Sequence, residues 1–107
     1  MTQFPGGVIL QLVGDIDVST MPQFQKAVRE SMDDEAHSLV LDFSGVDLVD
    51  AVSLGVVLEA IKKTQLRRGR LAVVDPSAAA HREFELTRLS EIVETYPTIA
   101  AAVAALT

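Results

Sequence analysis

The sequence contains no cysteine and no tryptophan, and aromatic residues make up only 5% of its 107 positions. Without cysteine, the chain has no disulfide, no thiolate nucleophile and no cysteine-ligated metal, so nothing favours an oxidising compartment. The scarcity of aromatics predicts a core built from Val, Leu, Ile and Ala. No apolar run approaches the roughly 20 residues of a membrane span, and no basic region followed by an apolar run marks a signal peptide. We therefore expect a cytoplasmic protein without a membrane partner.

Positive charge is also scarce. The chain has 9 Lys and Arg residues against 15 Asp and Glu, which gives a net charge of −6. There is no basic stripe either, and both features disfavour nucleic acid as a direct partner. Apolar residues at 49% and charged residues at 22% are typical of a folded globular protein. At this length we expect one domain spanning residues 1–107.

Short runs of aliphatic and β-branched residues predict the strands. They are Val8–Val13, Ser38–Phe43, Leu71–Val74 and a short strand near Glu91–Glu94. Little alternation within Ser38–Phe43 indicates a central strand that is covered on both faces.

Apolar residues at three- and four-residue spacing predict a helix after each of these strands. The first buries a stripe of Met21, Phe24, Val28 and Met32, with Ala27 beside it. Ser19 or Thr20 is its expected cap, Asp50 is that of the second helix and Ser77 that of the third. A last helix follows Pro97 and carries an apolar stripe of Ile99, Val103 and Leu106. Alternating strands and helices predict an α/β domain with a mixed, largely parallel sheet.

Several segments resemble a known family, in the family's own order. Gly14-Asp15-Ile16-Asp17 is similar to a Gly-Glu-Leu-Asp turn, and residues 39–46 are similar to the central strand and its exit. Asp50-Ala51-Val52-Ser53-Leu54-Gly55-Val56 aligns without gaps to an Asp-Ser-Ser/Thr-Gly-Leu-Gly-Val motif, and residues 71–77 and 86–89 also match. The family is that of the STAS domains, in particular the bacterial anti-sigma factor antagonists. The resemblance implies a four- to five-stranded sheet with about four helices on one side.

The resemblance also implies a regulatory function without catalysis or a cofactor. Antagonists of this family bind a serine-kinase-type anti-sigma factor and thereby free a sigma factor. The kinase switches them off by phosphorylating the serine that follows the aspartate of the motif. In this chain that position is Ala51, which has no oxygen to phosphorylate, so the usual off-switch is expected to be missing.

Ser53 is a weak alternative acceptor. Residues two apart in a helix lie about 200° apart around its axis, so Ser53 is expected to face away from the side that Ala51 presents. The simpler interpretation is a first-turn serine that bonds to the backbone or to water.

The family's partner contact maps onto the loop before the first helix and onto the start of the second. The corresponding residues are Asp15, Asp17, Ser19, Thr20, Asp50, Ala51, Val52, Ser53 and Val56. A helical wheel places Val52 and Val56 opposite a face made of Leu54, Val57, Leu58, Ile61 and Gln65. The sequence therefore predicts a small exposed patch of two valines that contacts a partner.

Other functions have less support. Asp15, Asp17, Asp47 and Asp50 are residues of the type that ligate Mg²⁺, but their spacing matches no metal motif, so neither a metal site nor catalysis is expected. Glycine loops for phosphate, nucleophile elbows and zinc-protease motifs are also missing. Two alternatives stay open. One is a scaffold or decoy that assembles with other STAS proteins, with sensor proteins or as a homodimer; the other is a binder of small molecules or nucleotides.

Overall fold

Five strands form one sheet in the computed structural model, which describes residues 2–32, 35–74 and 78–107. The strands are β1 (Thr2–Phe4), β2 (Gly7–Ile16), β3 (Ser38–Val49), β4 (Leu71–Val74) and β5 (Glu94–Tyr96). The helices are α1 (Met21–Ser31), α2 (Leu54–Leu66), α3 (Ala78–Leu86) and α4 (Ile99–Leu106), with one turn of 3₁₀ helix at Leu89–Glu91. The predicted α/β class with a mixed sheet is confirmed.

The strands lie side by side in chain order, β1-β2-β3-β4-β5. β1 runs antiparallel to β2, and the other neighbouring pairs are parallel. Parallel neighbours need a crossover connection, and α1, α2 and α3 supply one each. The predicted strand near 91–94 is a 3₁₀ turn followed by β5.

β2 and β3 extend beyond the rest of the sheet, and both are longer than predicted. β4 pairs only with residues 39–42 of β3, whereas β2 stays paired with β3 as far as Val49. The sequence suggested a stop at Gly14, but this glycine has φ +87° and sits at an irregularity through which the pairing continues. The projecting ends of β2 and β3 carry the loops that lead into α1 and α2.

Helices cover both faces of the sheet, so the implied arrangement with all helices on one side is wrong for α4. The larger core lies under α1, α2 and α3. On the opposite face, Ile9, Val40, Ala72 and Val74 pack against Ala102 of α4 and its neighbours. The central strands are apolar on both faces, and both faces therefore need cover. The predicted stripe of Ile99, Val103 and Leu106 packs here as expected.

The larger core consists mainly of Val, Leu, Ile and Ala, as the composition predicted, and three phenylalanines connect its elements. Phe43 of β3 makes edge-on contacts with Phe24 of α1 and with Phe84 of α3, at centroid distances of 6.5 and 5.5 Å. The predicted stripe on α1 is confirmed, because Phe24, Val28 and Met32 are buried. The three aromatic residues of this core thus lie at contacts between β3 and the helices α1 and α3.

α2 begins at Leu54 with Ser53 in the N-cap position, three residues after the predicted cap Asp50. Asp50 caps the preceding turn instead of the helix itself, because its Oδ1 accepts the Ser53 N–H at 2.7 Å. The predicted cap of α3, Ser77, lies outside the described residues. Within the described ranges, every helix is too short or too polar to cross a membrane.

Candidate functional site

The loop between β2 and α1 is ordered by Asp17. Its Oδ1 accepts the Ser19 N–H at 2.9 Å, the Ser19 hydroxyl at 2.6 Å and the Thr20 N–H at 3.1 Å. Thr20 occupies the N-cap position but makes no side-chain cap; its hydroxyl donates to the Asp15 carbonyl at 3.0 Å. The predicted cap by Ser19 or Thr20 is therefore wrong, since Asp17 accepts the N–H groups that precede the helix.

Asp50 joins this loop to the start of α2. One carboxylate oxygen accepts the Val18 N–H at 3.1 Å and the other accepts the Ser53 N–H at 2.7 Å. Its own N–H donates to the Ile16 carbonyl at 3.0 Å. Two segments about thirty residues apart in the chain are thereby held as one surface.

Both carboxylates titrate below the ordinary range of an aspartate. The Ser19 hydroxyl, and then the Thr20 N–H, lower the pKa of Asp17. The nearby Ser53 hydroxyl and the Ser53 N–H lower the pKa of Asp50, and the negative charge of Asp17 opposes that shift. Both groups are ionised at neutral pH, so this end of the sheet presents fixed negative charge.

Ala51 and Ser53 differ in exposure, but the helical geometry assumed for them does not apply, because both precede α2. Ala51 is exposed, whereas Ser53 is fully buried at 0% exposure. The Ser53 hydroxyl lies near enough to the Asp50 carboxylate to lower its pKa, but it makes no hydrogen bond with good geometry in the described part of the chain. The expected bond from this hydroxyl to the backbone is therefore not found.

The predicted patch of two valines is wrong. Val52 is 63% exposed, but Val56 is only 2% exposed. The buried side of α2 is centred on Val57, and Val56 lies only about 100° from it. Leu58, expected in the core, is 39% exposed instead. The helix is thus rotated relative to the predicted wheel.

Two further exposed apolar residues, which the sequence did not single out, are linked to Asp50. Val18 is 61% exposed and its N–H bonds to Asp50; Leu48 is 51% exposed and precedes Asp50 by two residues. The strand predicted over Ser38–Phe43 does not extend to Leu48, whereas the observed β3 does. We call the exposed residues around Asp50 the Asp50 surface, and its apolar members are Val18, Leu48, Ala51 and Val52.

Acidic residues surround the Asp50 surface. Asp15 is paired with Leu48 in the sheet, and Asp47 precedes Leu48 in the chain. Asp17 is close enough to Asp50 to act on its pKa. Among the described residues, no three His, Asp or Glu side chains are arranged to hold a metal ion. An apolar centre with an acidic rim suits a protein partner that has basic groups.

Seven of the nine predicted contact residues are at least partly exposed. They are Asp15, Asp17, Ser19, Thr20, Asp50, Ala51 and Val52. The other two, Ser53 and Val56, are buried, and a partner reaches neither of them without a change in the fold.

Comparisons with known proteins agree on one family. The model of the STAS domain matches residues 1–102. The anti-sigma-B factor antagonist of Listeria monocytogenes is 32% identical over 83 residues, which are 78% of this chain and 73% of that protein. The crystal structure of an anti-sigma factor antagonist from Mycobacterium paratuberculosis has a TM-score of 0.86 at 28% identity and covers 97% of this chain and 88% of that one. A candidate antagonist from Thermotoga maritima has a TM-score of 0.88 at 28% identity, with 96% and 89% covered.

Proposed function

Since the chain belongs to the STAS domain family, we propose that it acts as an anti-sigma factor antagonist. In this role it binds a serine-kinase-type anti-sigma factor, and a sigma factor is released. The names of the Listeria and Mycobacterium relatives support the role. The type of partner rests on the resemblance of residues 50–56 to the family's motif.

The observation that carries the proposal is the position of Asp50. Its hydrogen bonds to Val18 and Ser53 fix the loop before α1 against the start of α2. Ala51 and Val52 are exposed at that junction. A surface that is ordered before binding loses less conformational entropy when a partner docks.

We further propose that this antagonist is not switched off at the usual position. Ala51 offers no oxygen, and the hydroxyls of Ser53 and Thr64 are buried at 0% and 1% exposure. A phosphate at position 51 would add about −2 charge beside Asp50. The alanine therefore keeps the chain in the equivalent of the unmodified state.

The proposed role requires recognition only, without catalysis or a cofactor. Its place is the cytoplasm, where the sigma factor is needed for transcription. Ser19 and Ser44 are exposed, and a modification there would be an additional form of control.

The test is an affinity capture from the organism's own cytosol, with captured proteins and the intact mass of the bait read by mass spectrometry. We expect a serine-kinase-type anti-sigma factor and an unmodified bait. Capture of other STAS or sensor proteins without such a kinase would favour a scaffold and contradict the proposal.

A charge added at position 51 sharpens this test. Ala51→Glu is expected to weaken binding of the captured kinase by about tenfold or more, because the new carboxylate is next to Asp50 in the chain and repels the group whose hydrogen bonds order this surface. Gln65→Glu is the matched control, since it adds the same charge at an exposed position near the far end of α2. Equal affinities of the two variants would contradict the docking surface.

A further inference from the structure

Gly55 is the one glycine that the described fold does not explain. Of the six glycines, Gly6 and Gly14 have positive φ, and a Cβ on Gly7, Gly45 or Gly69 would lie 3.0 Å or closer to a neighbouring atom. A Cβ on Gly55 would meet no described residue within 4 Å. Glycine is also a poor helix former, and Gly55 is the second residue of α2. The fold would tolerate a larger residue at this position.

Gly55 lines an apolar groove of about 210 Å³. The groove lies between the start of α2 and the segment after α3. Its lining residues are Ala51, Leu54, Gly55, Leu58, Thr87 and Leu89. Because Ala51 and Gly55 have little or no side chain, they leave open the part of the groove next to Asp50.

We propose that this groove receives an apolar side chain of the protein partner, and that Gly55 is glycine because the partner approaches the helix closely there. The inference rests on the proposed function, since Ala51 belongs both to the groove and to the Asp50 surface. Close approach of another backbone or side chain is a recurrent reason for glycine in a regular element.

Charge favours a different protein over a second copy of this chain as the occupant. Asp50 precedes the groove residue Ala51, Asp17 is close enough to act on the pKa of Asp50, and the net charge of the chain is −6. A two-fold dimer through this surface would place these carboxylates against their own copies, and like charges that face each other disfavour association. The partner should therefore carry basic residues next to the apolar side chain that enters the groove.

Three baits test the inference in parallel: the parent chain, Gly55→Leu and Gln65→Leu. The leucine at position 55 fills the groove, whereas the leucine at position 65 adds similar bulk to an exposed part of α2 that does not line it. We expect the parent and Gln65→Leu to retain the kinase-type anti-sigma factor. Gly55→Leu should bind it at least about tenfold more weakly, because the groove can no longer accept a side chain.

A second variant separates binding from folding. Gly55→Ala should unfold at the same temperature as the parent or slightly above it, since alanine is the better helix former, yet it should bind the partner more weakly. A lower unfolding temperature would show that the fold itself needs Gly55 and would overturn the inference.

The remaining outcomes distinguish the groove from the proposed function. A partner of another class that Gln65→Leu retains and Gly55→Leu loses would contradict the proposed function but support the groove as a binding site. Equal capture by all three baits, or no capture by the parent, would overturn the inference that the groove binds a partner side chain. A dimer of the parent chain that Gly55→Leu abolishes would overturn the choice of occupant.

Discussion

The two ends of α2 differ in how tightly their glycines are packed and in whether their buried hydroxyls are hydrogen-bonded. Beyond the C-terminal end, a Cβ on Gly69 would lie 1.8 Å from the His37 carbonyl oxygen, whereas near the N-terminal end Gly55 has open space. The buried Thr64 hydroxyl donates to the Ile61 carbonyl at 2.9 Å, but the buried Ser53 hydroxyl has no hydrogen-bond partner within the described ranges.

The contrast shows where the sequence departs from what stability alone would select. At the C-terminal end Gly69 is closely packed and the Thr64 hydroxyl is satisfied, although Leu66 is exposed. The N-terminal end keeps a helical glycine, an unsatisfied hydroxyl and an exposed valine. Residues that lower stability without an obvious gain for the fold are found most often at functional sites.

The largest difference between the two ends should come from the glycines. Gly69→Ala should lower the free energy of unfolding by about 3 kcal/mol or more, because the backbone must move to relieve the contact with His37. Gly55→Ala should raise it by about 0.5 kcal/mol through helix propensity. Urea denaturation of both variants measures the difference. Effects of the same sign and size would remove the contrast.

Removing the two buried hydroxyls should have a smaller effect and again one of opposite sign. Ser53→Ala should raise the free energy of unfolding by up to about 1 kcal/mol, because burial of a hydroxyl without a well-formed hydrogen bond costs more than its attraction to the exposed Asp50 carboxylate returns. Thr64→Val should lower it by about 1 kcal/mol, since a satisfied hydrogen bond is lost. Thermal unfolding of each variant beside the parent checks the signs. A loss of stability in Ser53→Ala would mean that this hydroxyl does bond to Asp50.

The smallest effect on stability is expected when the pH is lowered. The pKa values of Asp17 and Asp50 are lowered from about 3.8 in the folded chain, so the unfolded chain binds more protons in that range. Their contribution to stability is therefore complete above pH 3.8 and is lost as the pH falls through the folded values. Asp50→Asn should make the stability curve flatter below pH 4 than that of the parent. Parallel curves would show that Asp50 contributes nothing through its charge.

The sequence was sufficient to predict most of the architecture. The β-rich runs, the spacing on α1 and the stripe on α4 each reflect a single element and its burial, and the structure confirms them. The position of α4 contradicts the one-sided arrangement that the resemblance implied and agrees with the cover on both faces that the apolar run Ser38–Phe43 predicted.

The candidate site was harder to predict, since it depends on how the elements are joined. The rotation of α2 decides that Val56 is buried and Leu58 is half exposed, and a helical wheel does not fix that rotation when apolar residues occupy most of its circumference. Val18 and Leu48 belong to the same end of the sheet as Asp50 only because β2 and β3 continue past β4. A pairing that passes through two irregularities leaves no simple sequence signal.

The central claim is that the exposed start of α2 binds a kinase-type partner and that this binding is not reversed by phosphorylation. In the most direct measurement, the captured kinase and ATP are incubated with the parent chain and, separately, with Ala51→Ser. The intact mass of each chain and its remaining affinity for the kinase are then recorded. We predict that the parent stays unmodified and keeps its affinity, whereas Ala51→Ser gains a phosphate and loses affinity. A phosphorylated parent chain that dissociates from the kinase would contradict the account.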